Sequence, residues 1–370
     1  MYASAALTAP AAIARAAAAI ERGPEFQRAL DSVAAKQKLP GAAAALVLDD
    51  GQMLSAATGF SDLEDGLRMA PDAIVPAASI GKTFVSAWAL GLVQESRLQL
   101  DAPISGWLSA EPWFARLPNG GQITVRMLLD QSSGLVDHAW APEWLTNYFA
   151  KTRDDPDHLF PPAELVSYVL DKKPLFPAGQ GYNYSDTNYV LAGMIFEKIT
   201  GRAYLDEIGE RFIRPLGLTR TVGNRRAYPG LANGYLREKN TFGIPEKSFV
   251  DGRIFIDPAV EFTGGGVMSC APDLARWAEA LYQGRALPQP YLDELLRPNR
   301  FSDRPGVQYA LGCNIVQTRH GVALGHSGTM PYYGSVMAYL PDRKLAVAIV
   351  ANRTTFDRKA AVERLVSAIT

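Results

Sequence analysis

Strand-like runs lie at the two ends of this chain and helical patterns fill its middle, a distribution that leaves few folds open. Near the start, Ala42 to Leu48 and Met53 to Phe60 are apolar runs separated by Asp49-Asp50-Gly51, an Asp-Gly signal for a β-hairpin. Near the end, Gly312–Gln317, Val322–Gly325, Gly334–Leu340 and Leu345–Ala351 read as strands, the last two joined by a turn at Pro341-Asp342-Arg343-Lys344. Between these regions, Ser79–Gln94, Ala163–Leu170, Thr187–Ile199 and Pro272–Leu281 carry helical periodicity, separated by Pro, Gly and Asp clusters. Residues 11–22 and about 357–369 read as further helices. The expected fold class is therefore α/β in the α+β sense. One antiparallel sheet is built from both termini and flanked by helices, with a mostly helical lobe inserted. The expected boundaries are a helical extension over 1–25 and one domain over 26–370. Its sheet lobe covers about 26–78 and 300–370, its helical lobe about 79–299. A ligand would bind in the cleft between lobes.

With 370 residues, 48% hydrophobic and 20% charged, the chain can bury a large core. Lys plus Arg total 37 and Asp plus Glu 38 without long runs of either sign, so no footprint for nucleic acid or an anionic membrane is present. A small molecule or peptide is the expected partner, and nothing sets an oligomeric state. No stretch of 18 apolar residues occurs, and the Ala-rich N-terminus lacks the basic and Leu-rich parts of a signal peptide. The expected location is periplasmic or secreted with the signal already removed, the alternative being cytoplasmic. Cys270 and Cys313 are far apart, which excludes a disulfide-dense scaffold and a thiolate zinc site and leaves them as small core residues. The histidines His138, His158, His320 and His326 have no metal-binding spacing, so neither metal nor cofactor is expected.

Three short motifs carry chemistry. Ser79-Ile80-Gly81-Lys82 opens a helix, and a spacing of three puts both side chains on one face, where Lys82 can help take the Ser79 proton. A Ser cap with a solvated Lys would look the same, and on the order of one chance S-x-x-K is expected at this length. Tyr184-Ser185-Asp186-Thr187-Asn188 precedes a second helix; a phenol facing Lys82 would shed its proton more easily and serve as base, then acid. A helix cap at Ser185 or Asp186 is the competing reading. His326-Ser327-Gly328-Thr329 ends a strand, where a cation could hold a substrate carboxylate while Ser327 and Gly328 let the substrate lie along the edge.

In this order and at separations of about 100 and 140 residues, the motifs resemble the serine β-lactamase and penicillin-binding protein superfamily, for which S-x-x-K is a signature. The likeness is to the branch of class C β-lactamases, DD-carboxypeptidases and family VIII carboxylesterases, and runs from about residue 30 to the end. Ile123 to Leu129 leading into Ser132-Ser133-Gly134-Leu135, and Gly264-Gly265-Gly266 leading into Asp273-Leu274-Ala275, look like structural signatures of the same family. The resemblance implies Ser79 as nucleophile, Lys82 as its proton partner, Tyr184 as base and acid, and His326 as substrate anchor. It also implies an oxyanion hole from the backbone of Ser79 and Thr329, and acyl transfer without a metal.

Two departures stand out. The second motif usually ends in Asn; Asp186 can only accept, so it would salt-bridge Lys82 or receive a donor such as a substrate amine, with Asn188 as the replacement amide. The third motif has His326 in place of Lys, a weaker carboxylate anchor near neutral pH. The expected activity is hydrolysis of an amide or ester, DD-carboxypeptidase-like or amidase-like. A carboxylesterase is the alternative, and a non-catalytic penicillin-binding sensor a remote one. Trp140, Trp144, Tyr148, Tyr332 and Tyr333 are candidates to line the cleft. No G-x-S-x-G elbow of an α/β-hydrolase is present.

Overall fold

A computed structural model describes residues 9–236, 243–301 and 305–369. Its centre is an eight-stranded antiparallel sheet made of β1 (Gly41–Val47), β2 (Met53–Asp62), β3 (Leu67–Arg68), β4 (Val307–Tyr309), β5 (Asn314–Thr318), β6 (Gly321–Met330), β7 (Tyr333–Leu340) and β8 (Leu345–Ala351). The order is β3-β2-β1-β8-β7-β6-β5-β4, so the first and last strands of the chain pair at its middle, with Ala44 opposite Ile349. Both central strands are buried throughout, which is why they read as unbroken apolar runs rather than alternating ones.

The two faces of the sheet pack against different helices. Ala42, Ala44 and Leu46 join Val347 and Ile349 on the outer face, against Phe26, Leu30 and Val33 of helix α1 (Ala9–Gln37) and the C-terminal helix. Ala43, Ala45 and Val47 face inward with Ala348 and Val350, toward a core that contains Phe84, Trp88 and Trp277. The helices with inward roles are α2 (Gly81–Gln94), α3 (Asp186–Thr200) and α4 (Ala271–Tyr282), and the C-terminal helix is α5 (Arg358–Ser367). Each Val, Leu, Ile or Phe side chain so buried contributes about 1.5–3 kcal/mol, and the Trp277 ring stacks on Phe84 at 4.0 Å.

Local differences from the sequence reading have physical causes. The N-terminal helix does not stop near residue 22: it continues through Pro24 to Gln37, because Phe26, Leu30 and Val33 form a stripe at helical spacing that the sheet covers. β6 is ten residues long, so His326 to Thr329 lie within a strand rather than at its end. The predicted helix from Ala163 shortens to Pro162–Ser167. Short strands at Val75–Pro76, Val222–Gly223 and Val267–Ser269 form a small second sheet that lengths of two or three residues made invisible. Cys270 and Cys313 are buried and free.

Asn352, fully buried just after β8, ties this frame together. Its Oδ1 accepts from the Gly41 N–H at 2.7 Å, and its Nδ2 donates to the carbonyls of Phe60 at 2.9 Å and Asn233 at 2.8 Å. Asn352→Ala strands three buried backbone groups at the meeting point of both termini. The expected loss is about 3 kcal/mol or more of unfolding free energy, measured by urea denaturation.

Candidate active site

Ser79 sits in a 3-10 turn, Ala78–Ile80, immediately before α2. The preceding Ala78 has φ 50°, a left-handed conformation that costs a non-Gly residue and therefore needs support from its surroundings. That support comes from the sheet. The Ala77 N–H donates to Val267 O at 2.9 Å, and the Ala77 carbonyl accepts from Ser335 Oγ of β7 at 2.9 Å. Gly328 of β6 packs so tightly here that a Cβ would lie 2.0 Å from the same carbonyl oxygen. On the other side, Gly265 abuts the turn, where an added Cβ would lie 2.7 Å from the Ala78 carbonyl carbon.

Lys82, in the first turn of α2, is completely buried. Its Nζ donates to Ser79 Oγ at 3.1 Å, to Asp186 Oδ1 at 2.5 Å and to the Gly264 carbonyl. An ammonium has three donors, and all three meet acceptors. The spacing of three thus delivers the contact that the sequence predicted, and the Gly-rich stretch supplies the third acceptor through the Gly264 carbonyl.

Tyr184 lies on the loop before α3, with Lys82 Nζ 5.0 Å from its ring centroid. Its hydroxyl is enclosed without a well-formed hydrogen bond. Burial, then the charge of Asp186, push its pKa well above that of a free phenol, while the nearby Ser79 hydroxyl pulls it down. The sequence reading has Lys82 easing this phenol toward ionisation; burial first and the Asp186 charge second reverse the direction, and Tyr184 rests as a neutral phenol. Neither competing cap forms: Ser185 stands at the N-cap position of α3 but its Oγ donates to Val136 O, and Asp186 is the first helical residue.

Asn188 does not replace the missing amide. It is fully buried, accepting from Ser133 Oγ and donating to Gln131 Oε1, both at 2.6 Å, which removes it from any substrate. Gln131 also accepts from the Ser185 N–H at 3.0 Å, so it braces the Tyr184 loop. Its φ of 67° is the sort of requirement that a Gln gives no hint of.

His326 is buried, with Nδ1 2.7 Å from Ser327 O and Nε2 3.2 Å from the Tyr309 hydroxyl. A carbonyl only accepts, so Nδ1 carries a proton and donates to Ser327 O, while Nε2 pairs with the Tyr309 hydroxyl. Both ring nitrogens are thus engaged within the protein, and the imidazole stands beside Tyr184 at 6.1 Å between ring centroids, unlike an anchor reaching into a cleft. Gly328 faces Ala77 rather than a substrate, Ser327 is half-buried, and Thr329 is exposed at the strand edge. Of the aromatic candidates, Tyr332 and Tyr333 are buried, Trp144 and Tyr148 stack on each other at 5.0 Å, and Trp140 is 72% exposed.

Three acidic or basic neighbours escaped sequence reading because they come from loops remote in the chain. Burial first and the Asp186 charge second raise Asp137 to about 8, and the same two causes raise Glu261 to about 8. Burial lowers His138 to about 4. Near neutral pH the charges in this pocket are therefore chiefly the Lys82 and Asp186 pair.

The chain is 25% identical over 305 residues to penicillin-binding protein 4* of Bacillus subtilis (strain 168), covering 80% of this chain and 64% of that protein. It is 26% identical over 318 residues to a D-aminopeptidase of Brucella anthropi, covering 85% and 56%. The chain thus spans less than two thirds of the length of these relatives. Among solved structures, a D-stereospecific amidohydrolase from Streptomyces sp. superposes with a TM-score of 0.79 at 28% identity, covering 94% of this chain and 98% of that one. The D-amino acid amidase from Ochrobactrum anthropi SV3, complexed with L-phenylalanine amide, gives 0.76 at 25% identity with the same coverage. The family model Beta-lactamase matches residues 26–369, and with this fold and these motifs the chain belongs to the beta-lactamase family.

Proposed function

We propose that the protein is a serine hydrolase that opens amide bonds of small molecules or peptides through an acyl-enzyme on Ser79. The observation that carries this reading is the buried Lys82 Nζ 3.1 Å from Ser79 Oγ, with the Tyr184 phenol enclosed beside them. Similarity to an amidohydrolase and an amidase over nearly their whole length supports amides over other acyl compounds. Ser79 Oγ adds to the substrate carbonyl carbon while its proton passes to Lys82 in the amine form. The N–H groups of Ser79 and Thr329 take up the oxyanion, an interaction worth about 2.7–4 kcal/mol where one such donor has been removed elsewhere. Because Tyr184 rests protonated, it suits the acid step and gives its proton to the departing nitrogen. Water then attacks the ester, and the same groups return the protons. His326 acts here as a positioning residue for Tyr184 and Tyr309.

Ser79→Ala is expected to reduce turnover of amino-acid amides and p-nitrophenyl butyrate to background with an unchanged thermal melt. Activity close to wild type would remove the assignment. Hydrolysis of the ester with none of the amides would instead make the protein an esterase. Lys82→Ala and Tyr184→Phe should each lower kcat by ~100-fold or more, the lower range for a positioned proton-transfer group.

A third expectation concerns pH. Glu261 ionises near 8 in the folded protein against an ordinary 4.5, so its protonated form favours folding below about 4.5 and that contribution is lost as pH rises toward 8. Glu261→Gln is thus expected to raise Tm relative to wild type at pH 8 and to leave it nearly unchanged at pH 4. Equal shifts at both values would contradict the burial of an uncharged Glu261.

A further inference from the structure

Resting on the Ser79 acyl-enzyme reading, we propose that Asp186 selects substrates bearing a free ammonium group on the acyl side of the scissile bond, whose charge releases Lys82 to act as base. The site is self-blocked as it stands. All three N–H bonds of Lys82 point at acceptors, and an ammonium has no lone pair with which to take the Ser79 proton. The partner that holds it charged is Asp186, at 2.5 Å. An Asn there could donate or accept, but a carboxylate only stabilises the cation.

Asp186 is placed for a second partner. Its side chain is 29% exposed whereas Lys82 is not exposed at all, so one carboxylate meets both the buried amine and solvent. Only Oδ1 engages Lys82. The other ionisable groups that face the pair are Asp137, Glu261, His138, Tyr184 and Tyr189. None of them brings a second cation near neutral pH. Asp137, whose side chain is 7% exposed, has an Oδ2 without a hydrogen-bond partner among the described residues, and burial keeps this carboxyl largely uncharged near neutral pH, which leaves Asp186 as the carboxylate of the pair.

A substrate ammonium at Asp186 places two cations on one carboxylate. Like charges disfavour each other, and of the two it is the buried Lys82 that gains by neutralising. Lys82 loses one proton to water as the substrate binds. The resulting amine takes the Ser79 proton as the Oγ–C bond forms, Tyr184 protonates the leaving nitrogen as the C–N bond breaks, and Lys82 returns its proton to the phenolate. When the product amine departs, Lys82 recovers a proton from water. An N-acylated substrate has no charge with which to start this sequence.

The experiment compares D- and L-alanine p-nitroanilides with their N-acetyl derivatives on wild type and Asp186→Asn, alongside the rate at which a neutral fluorophosphonate labels Ser79 at pH 7. Wild type is expected to show kcat at least ~100-fold higher for a free-amine substrate, the size of a proton-transfer contribution. In Asp186→Asn that ratio should fall by ~10-fold or more, while labelling becomes ~10-fold faster because Lys82 is no longer held as a cation. Asp186→Ser serves as a second variant should the Asn form fail to fold. A wild type that labels but shows no preference in kcat overturns the proposal, as does a variant that keeps the preference or labels no faster. A wild type that neither labels nor turns over a free-amine substrate defeats the Ser79 reading instead.

Discussion

A fully buried lysine is the constraint around which this molecule is arranged. Removing an ammonium from water costs several kcal/mol unless each donor finds an acceptor, and here each does: Ser79 Oγ, Asp186 Oδ1 and the Gly264 carbonyl. Those acceptors come from three remote parts of the chain, namely the turn before α2, the start of α3 and the glycine-rich segment before α4. Satisfying one side chain therefore draws these three segments together. It also determines the chemistry, since the same contacts place an amine beside a hydroxyl and a phenol in a pocket largely shielded from solvent.

The sheet supplies the rigid half of the site. Pairing β1 with β8 joins the two ends of the chain, and β6 and β7 extend the sheet to the Ser79 turn, where Ser335 and Gly328 hold the Ala77 carbonyl from two directions. Arg358 at the start of α5 donates to the carbonyls of Gly328 at 2.7 Å and Ser335 at 3.0 Å, securing that part of the sheet from behind. Left-handed Ala78 is thus supported largely by strands, which hold the turn that carries Ser79 in place.

What the sequence revealed and what it hid divide along the range of the signal. The hairpin at Asp49 to Gly51, the central strands and helices α2, α3 and α4 were legible because periodicity and turn residues are local. Ser79 with Lys82 was legible because three residues along a turn fix their distance. Asp186 left two readings open, and the pairing with Lys82 is the one observed. Asn188 misled, since its place in an amide-rich motif says nothing about which way the first turn of α3 faces. His326 looked like an anchor until its partner Tyr309, 17 residues upstream, was in place. Asp137, Glu261 and Gln131 could not have been found: their importance lies in burial and in partners from distant loops, neither of which has a spacing to read.

The most direct measurement is the mass of the protein trapped during turnover. A saturating amino-acid amide or ester is mixed with enzyme, quenched in acid within milliseconds to seconds, and the tryptic peptide Met69–Lys82 is sequenced by mass spectrometry. The account predicts the mass of the acyl group on Ser79, appearing in the pre-steady state and lost when substrate is exhausted. Steady turnover with no covalent adduct, or with the acyl group on another residue such as Ser185 or Ser327, would contradict it.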